Sequence, residues 1–161
     1  MAPTVKSYDY RPVSYTHLRA VTAELEQAGI AQCVTAPNVL TYEAALADLN
    51  QYPASVIFVL PGALNVSHDI EGGMPIKADI SREVTLFISA AATGVPGGDM
   101  DTANHMTDRV LQKLMWNSLG QDGLVICKPR TAAPLSIVWE DAPGRAVWTM
   151  TVEVTSFETE F

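Results

Sequence analysis

The chain has 161 residues, of which 48% are hydrophobic and only 17% charged. That is enough for one domain with a real core, but it is below the roughly 25% charge usual for soluble domains. Eighteen acidic residues against ten basic ones leave a formal charge of −8, which argues against a surface that grips nucleic acid by neutralising phosphates. Such a low charge content has two readings: surface buried in an assembly, or an exterior rich in Thr, Ser and Asn.

Residues 1–14 read as an N-terminal arm. Tyr8, Tyr10, Pro12 and Val13 suit it to lying on a neighbouring surface, and it lacks the apolar centre of a signal peptide. Over 15–28, Leu18, Val21, Thr22, Leu25 and Ala28 recur at three- and four-residue spacing, while Arg19, Glu24, Glu26 and Gln27 fall opposite. This predicts an amphipathic helix, capped by Thr16 and stopped by Gly29. A short strand is expected over 30–35, interrupted by Pro37 and Asn38. Thr41 then opens a short helix over 42–50, with Leu46 and Leu49 on its dry side, and Pro53 ends it. The almost wholly apolar run 54–60 is rich in β-branched residues. It predicts a central strand covered on both faces.

Residues 61–78 carry His68, Asp69, Glu71, Gly72, Gly73 and Pro75, and read as a long loop or a loose hairpin excursion. Alternation returns over 78–91. Ile80, Val84, Leu86, Ile88 and Ala90 fall on one side and Glu83, Thr85 and Ser89 on the other, with Arg82 and Phe87 as exceptions. Residues 93–98 predict a flexible tip. A second long helix is expected over 103–119, capped by Asp101 or Thr102 and ended by Gly120, with Met106, Val110, Leu111, Leu114, Met115 and Ser118 as its buried stripe. Strands are expected over 124–127 and 135–139, then a turn over 140–145. A long strand closes the chain, with Ala146, Trp148, Met150, Val152 and Val154 dry and Thr149, Thr151, Glu153 and Thr155 wet. Trp139 and Trp148 flank the turn and are candidates to pair across it. The expected class is α+β: a mixed, mostly antiparallel sheet with two main helices packed on one face, in a single domain over 15–161.

Active-site chemistry is sparse. His17 and His105, each in the first turn of a predicted helix, read as surface histidines. His68, Asp69 and Glu71 form the one local cluster of acid/base or metal-binding type, with Asp79 nearby, though a single flexible segment is a poor frame for a metal. No serine sits in a nucleophile elbow. Cys33 and Cys127 lie in apolar stretches without zinc or redox spacing. They read as reduced thiols packed as small hydrophobes, which weakly favours folding in a cytoplasm. Gly94, Gly97 and Gly98 precede a helix, but Asp99 and Asp101 would repel a phosphate there. No run reaches the length of a membrane helix.

The order of elements resembles the tail terminator (tail completion) proteins of long-tailed bacteriophages, including the minor tail proteins of Mu-like prophages. The features carrying the resemblance are the opening helix 18–28, the Pro53-led strand 52–60, the long alternating strand 80–90, the helix 103–119 followed by Leu124 and Val125, and the closing hairpin with Trp148. It is a likeness of order, over about 15–158, and no short motif carries it. It implies a subunit that assembles with itself as a ring, typically a hexamer. The ring would cap the head-proximal end of the tail tube and meet the tail tube protein on one side and the head–tail connector on the other. DNA would pass through the lumen without specific binding, and the acidic balance suits that passage. The virion tail is the implied location, with no enzyme activity, cofactor, metal or membrane. Contact residues are expected at His68, Asp69, Met74 and Ile76 in the first excursion, at Val95 and Met100 in the second, and at Trp116. A tail tube or other connector subunit is the nearest alternative. A small metal-assisted hydrolase on His68, Asp69 and Glu71, or a ligand-binding domain on the Trp139/Trp148 face, would be a different class.

Overall fold

Residues 56–60 have no wet side: Val56, Ile57, Phe58 and Val59 are fully buried and Leu60 nearly so. Ile57 and Val59 enter one core cluster, while Val56, Phe58 and Leu60 enter a second on the opposite face of the sheet. A strand covered on both faces needs no alternation, so its sequence is a continuous apolar run.

The computed structural model describes residues 16–36, 38–71, 74–95, 98–120, 125–135 and 144–158, with the backbone alone at 16, 66–71, 74–79 and 157–158. In chain order the elements are α1 (Thr16–Ala28), β1 (Gln32–Thr35), α2 (Tyr42–Asp48) followed by a 3-10 turn (Leu49–Gln51), β2 (Val56–Glu71), β3 (Met74–Ser89), α3 (Met100–Leu114), β4 (Val125–Leu135) and β5 (Val147–Glu158). The five strands form one sheet in the order β1-β2-β3-β5-β4. Only β1 and β2 are parallel, joined by the crossover that carries α2; the other three pairings are antiparallel. The fold is α+β with a mixed, mostly antiparallel sheet.

Both long helices pack on one face. Leu18, Val21 and Leu25 of α1 and Met106, Val110 and Leu114 of α3 meet Leu86, Ile88, Met150 and Val152 of the sheet. Each such buried aliphatic stabilises the fold by about 1.5–3 kcal/mol. On the other face the segment before α2, α2 itself and the 3-10 turn cover β2 and the end of β3, through Val39, Ala45 and Leu49 respectively. Phe87, out of place in a simple alternation, belongs to this second core. It packs edge-on against Phe58, with ring centres 5.9 Å apart, and against Tyr42 at 5.6 Å.

Beyond α2, the second face of β3, β5 and β4 has no helix over it among the described residues. Register sets Thr85, Thr151 and Thr131 in one row and Glu83, Glu153 and Lys128 in another. Thr149, Thr151 and Glu153 are half-exposed there, opposite the buried Met150, Val152 and Val154. The wet and dry sides of β5 are as the alternation predicts, with Thr155 the exception in being buried.

Several expectations are corrected. Residues 61–71 and 74–78 are not a loop: β2 and β3 continue as a paired hairpin out to Glu71 and Met74, the second of the two forms expected for this segment. Chain breakers misled here, because Gly62 marks a register shift between Pro61 and Leu64 within a continuing strand. A Cβ at Gly62 would stand 2.8 Å from the Glu83 carbonyl oxygen, so only glycine fits. The strand expected over 124–127 runs on as β4 to Leu135, through Pro129 and Pro134, and of the strand expected over 135–139 only Leu135 lies within the described residues. β4 tolerates the prolines because it lies at the edge of the sheet. Trp148 stands opposite Pro134 and Ile88, and Trp139, its expected cross-strand partner, lies outside the described residues. The arm 1–14 and the turn 140–143 lie outside them too.

Helix α3 starts at Met100 under an Asp99 cap rather than later under Asp101 or Thr102, and ends at Leu114 rather than near Gly120. Met115 is therefore 40% exposed and not in the buried stripe. Thr16 lies inside α1 rather than capping it, and Gly29 makes the expected left-handed stop at φ +68°. His17 is buried, contrary to the surface histidine expected. In the long crossover, Thr41 accepts from the Ala44 amide and caps α2 as expected.

Candidate functional site

The residues expected to make contacts fall at two ends of the domain. At the first end, β3 leaves the sheet and runs into the segment before α3. Ala90 donates to the Ala146 carbonyl (3.0 Å) and Thr93 to the Gly144 carbonyl (3.1 Å). Gly98 closes on the same place: a Cβ there would overlap the backbone of Gly144 and Ala146. The tip expected to be flexible is thus tied to Gly144 on both sides. Asp99 then caps α3, its carboxylate accepting from the Thr102 amide (3.0 Å) and hydroxyl (2.6 Å). Those hydrogen bonds from Thr102 hold the Asp99 carboxyl below its ordinary pKa. On this braced frame Val95 is 59% and Met100 41% exposed.

Arg145 does the bracing, and sequence reading missed it by placing it in a surface turn. Its side chain is buried. Nη1 donates to the carbonyls of Ala90 (2.7 Å) and Ala54 (3.0 Å), and Nη2 to that of Leu49 (3.1 Å). One guanidinium therefore joins the 3-10 turn, the start of β2 and the end of β3. Burial pushes its pKa down. An arginine beside Gly144 in a turn-forming run gives no sequence signal of this role.

At the second end, α3 stops and Trp116 stands out, 63% exposed. Its backbone is left-handed, at φ +59°, which for a non-glycine residue stores roughly 1–3 kcal/mol. The strain is held by a short ladder: Trp116 donates to the Cys127 carbonyl (3.0 Å), and Cys127 donates to that of Asn117 (2.8 Å). The Asn117 amide group donates to Glu24 (3.2 Å) and to the Lys113 carbonyl (3.0 Å), and its oxygen accepts from the Leu119 amide (2.8 Å). Lys113 and Glu24 are themselves paired at 3.4 Å. The indole is thus presented on a fixed base.

Beyond this end projects the β2–β3 hairpin. His68 stands opposite Ala78, Asp69 opposite Lys77 and Glu71 opposite Met74. Ile76 falls in the register shift that follows Asp69. Through Cys127 and Val154, Trp116 is level with Arg82, whereas Val95 and Met100 flank the Ser89 end of β3. Ser89 and Arg82 are roughly 23 Å apart along the strand, and Met74 lies about 26 Å further out. The expected residues are therefore not one site: Val95 and Met100 stand at the Ser89 end, Trp116 is level with Arg82, and the hairpin carrying His68, Asp69, Met74 and Ile76 runs on beyond it.

A shallow groove of about 340 Å³ lies between α3 and the β4–β5 edge, floored by Trp148, Met150, Leu111 and Ala132 and rimmed by Asn104 and Asp108. The indole N–H of Trp148 donates to Asn104 Oδ1 at 2.8 Å, which fixes the ring. On the open face of the sheet, Arg130 grips Glu153 through two nitrogens at 2.9 and 3.1 Å. Burial pushes the Glu153 carboxyl up, but hydrogen bonds from Arg130, Thr155 and Ser81 outweigh it and its pKa is lowered. Cys33 is half-buried and Cys127 buried, and neither is in a disulfide. Among the described residues no three His, Cys, Asp or Glu side chains gather as a metal site would require, and no helix is long and apolar enough to cross a membrane.

The described residues form an α+β fold with helices packed against a five-stranded sheet. No protein-family model matches the sequence, and a search of curated proteins finds no significant match.

Proposed function

We propose that this chain is a structural subunit of a phage tail, of the terminator type. It closes into a ring on the head-proximal end of the tail tube, stops tube growth there and presents its other end to the head–tail connector. The reading works by shape, with no bond chemistry. The observation that carries it is the separation of exposed apolar residues along a braced sheet: Val95 and Met100 at the Ser89 end of β3, and Trp116 level with Arg82, past which the backbone of the β2–β3 hairpin projects. A subunit set between two different partners needs two such ends. Its low charge and acidic balance suit contacts with protein and a lumen that DNA crosses without sticking.

A hexamer is the ring that the resemblance implies, and head-to-tail contacts close into a ring only where the rotation between copies divides a full turn. Electron microscopy and native mass spectrometry of the purified protein test the proposal, together with co-sedimentation on isolated tail tubes. Discrete rings that bind tube ends support it. Filaments that lengthen with concentration support a tube subunit instead. Failure to bind tubes, with no ring on or off them, rejects both.

A further inference from the structure

We propose that the outer edge of β2 beyond Val59 is a docking edge for a second copy of this chain, which lays its own β2 there antiparallel, about a two-fold axis. β1 covers β2 only from Val56 to Val59. From Leu60 to Glu71, β2 pairs with β3 on one side and with no described strand on the other. An edge of this kind offers every second amide and carbonyl to an incoming strand.

The partner follows from what edges are available. At the far side of the sheet β4 carries Pro129 and Pro134, which have no amide to donate. The free edge of β1 spans only Gln32–Thr35. Among the described strands, the one free edge long enough to match β2, and without a proline past residue 61, is another β2.

Charge fixes the direction. Residues 56–67 contain no ionisable side chain, whereas His68, Asp69 and Glu71 follow closely. A parallel pair in register would stack Asp69 on Asp69 and Glu71 on Glu71, which is destabilising. An antiparallel pair centred on Val66 sets Asp69 opposite Ala63 and Glu71 opposite Pro61, so each acid meets an uncharged half. Two-fold pairing consumes the long free edge of each copy. With β4 blunted, sheet growth stops at two instead of running on. The inference goes beyond the ring and does not rest on it: an antiparallel two-fold points the ends of its two copies in opposite directions, so the pair is a form of the protein off the tail and must open before copies close into a ring with two different faces.

The test uses the full chain with Asn65→Pro and Val66→Pro, read by analytical ultracentrifugation over a range of concentration, with hydrogen exchange on the unaltered protein. Neighbouring amides of a strand point to opposite sides, so one of the two prolines faces β3 and the other faces the free edge. The expected result is an even-numbered assembly that falls twofold in mass in the proline variant that keeps its native melting temperature. Alternate amides over 64–70 should gain protection as concentration rises. Unchanged mass in the proline variant that keeps the native melting temperature overturns the inference. If neither variant folds, alternate amides over 64–70 that exchange freely at every concentration overturn it, and protection that rises with concentration upholds it. Halved mass without rings in micrographs keeps the β2 pair and removes the ring, while rings that survive the proline at unchanged mass do the reverse.

Discussion

Trp116 and Cys127 are joined by a 3.0 Å hydrogen bond from the Trp116 amide to the Cys127 carbonyl, and the Cys127 amide returns one to Asn117 at 2.8 Å. This two-bond ladder ties the end of α3 to the edge strand β4 and holds a left-handed tryptophan outward. Replacing Trp116 by Gly should relieve the backbone without emptying the core. Stability is expected to hold or to rise by up to about 1 kcal/mol. If the indole anchors a partner, association should weaken by ~2 kcal/mol or more. Chemical denaturation read beside assembly mass separates the two effects; a clear loss of stability would show that the indole packs within the subunit.

Arg145→Met should be among the most damaging single changes outside the apolar core. It leaves the carbonyls of Leu49, Ala54 and Ala90 without the donor that now serves all three. The expected cost is on the order of 2–4 kcal/mol, from buried acceptors left unpaired. Arg145→Lys keeps the charge but not the fork, and should recover only part. Urea denaturation of both variants checks this, and equal stability of wild type and Arg145→Met would refute the clamp.

The contrast between Arg145 and Val56–Leu60 shows what the sequence made legible. Central and alternating strands announce themselves, because the hydrophobic pattern is the direct record of which faces are covered. β5 and the body of β3 were readable for that reason, as was the dry stripe of α1. Arg145 was not, since its partners are backbone carbonyls from segments far along the chain, and carbonyls have no residue identity. His17 looked like a surface residue because the first turn of a helix is often wet, yet the helix packs down at that point. The hairpin past Leu60 was obscured by Pro61, Gly62 and Pro75, which the strands absorb through register shifts. Of the candidate contact residues, Trp116 was legible as lying beside the dry stripe. That it would be held in a strained turn was not, because the turn depends on Asn117 and Cys127 together.

Phe58→Ala should cost about 3–5 kcal/mol. Phe58 is fully buried, and it meets Phe87 at 5.9 Å and Tyr52 at 5.6 Å, both edge-on. Phe58→Leu keeps most of the volume and should cost less than half as much. Thermal denaturation of the two variants distinguishes a packed aromatic cluster from a loosely filled face, for which the two changes would cost the same.

Stability should fall away on both sides of a pH window, for opposite reasons. Burial, with the nearby charge of Arg82, lowers the His17 pKa from 6.5 to about 3. The unfolded chain therefore binds a proton that the folded chain refuses. The His17 contribution is complete above about pH 6.5 and is lost as pH drops toward 3, amounting to on the order of a few kcal/mol. On the alkaline side, burial raises Cys33 and Cys127 from 9.0 to about 12, with help from Glu26 and Glu24 respectively. Their contribution is complete below about pH 9 and is lost as pH climbs through 12. A pH series of urea melts should show a plateau between these limits, and His17→Gln should flatten its acid shoulder while leaving the alkaline one. The same thiol shifts predict slow alkylation of the native protein at pH 8, where a thiol with pKa near 12 is ionised in about one molecule in ten thousand. Fast labelling of Cys33 without unfolding would mean that its stretch opens locally, and would narrow the alkaline shoulder to Cys127 alone.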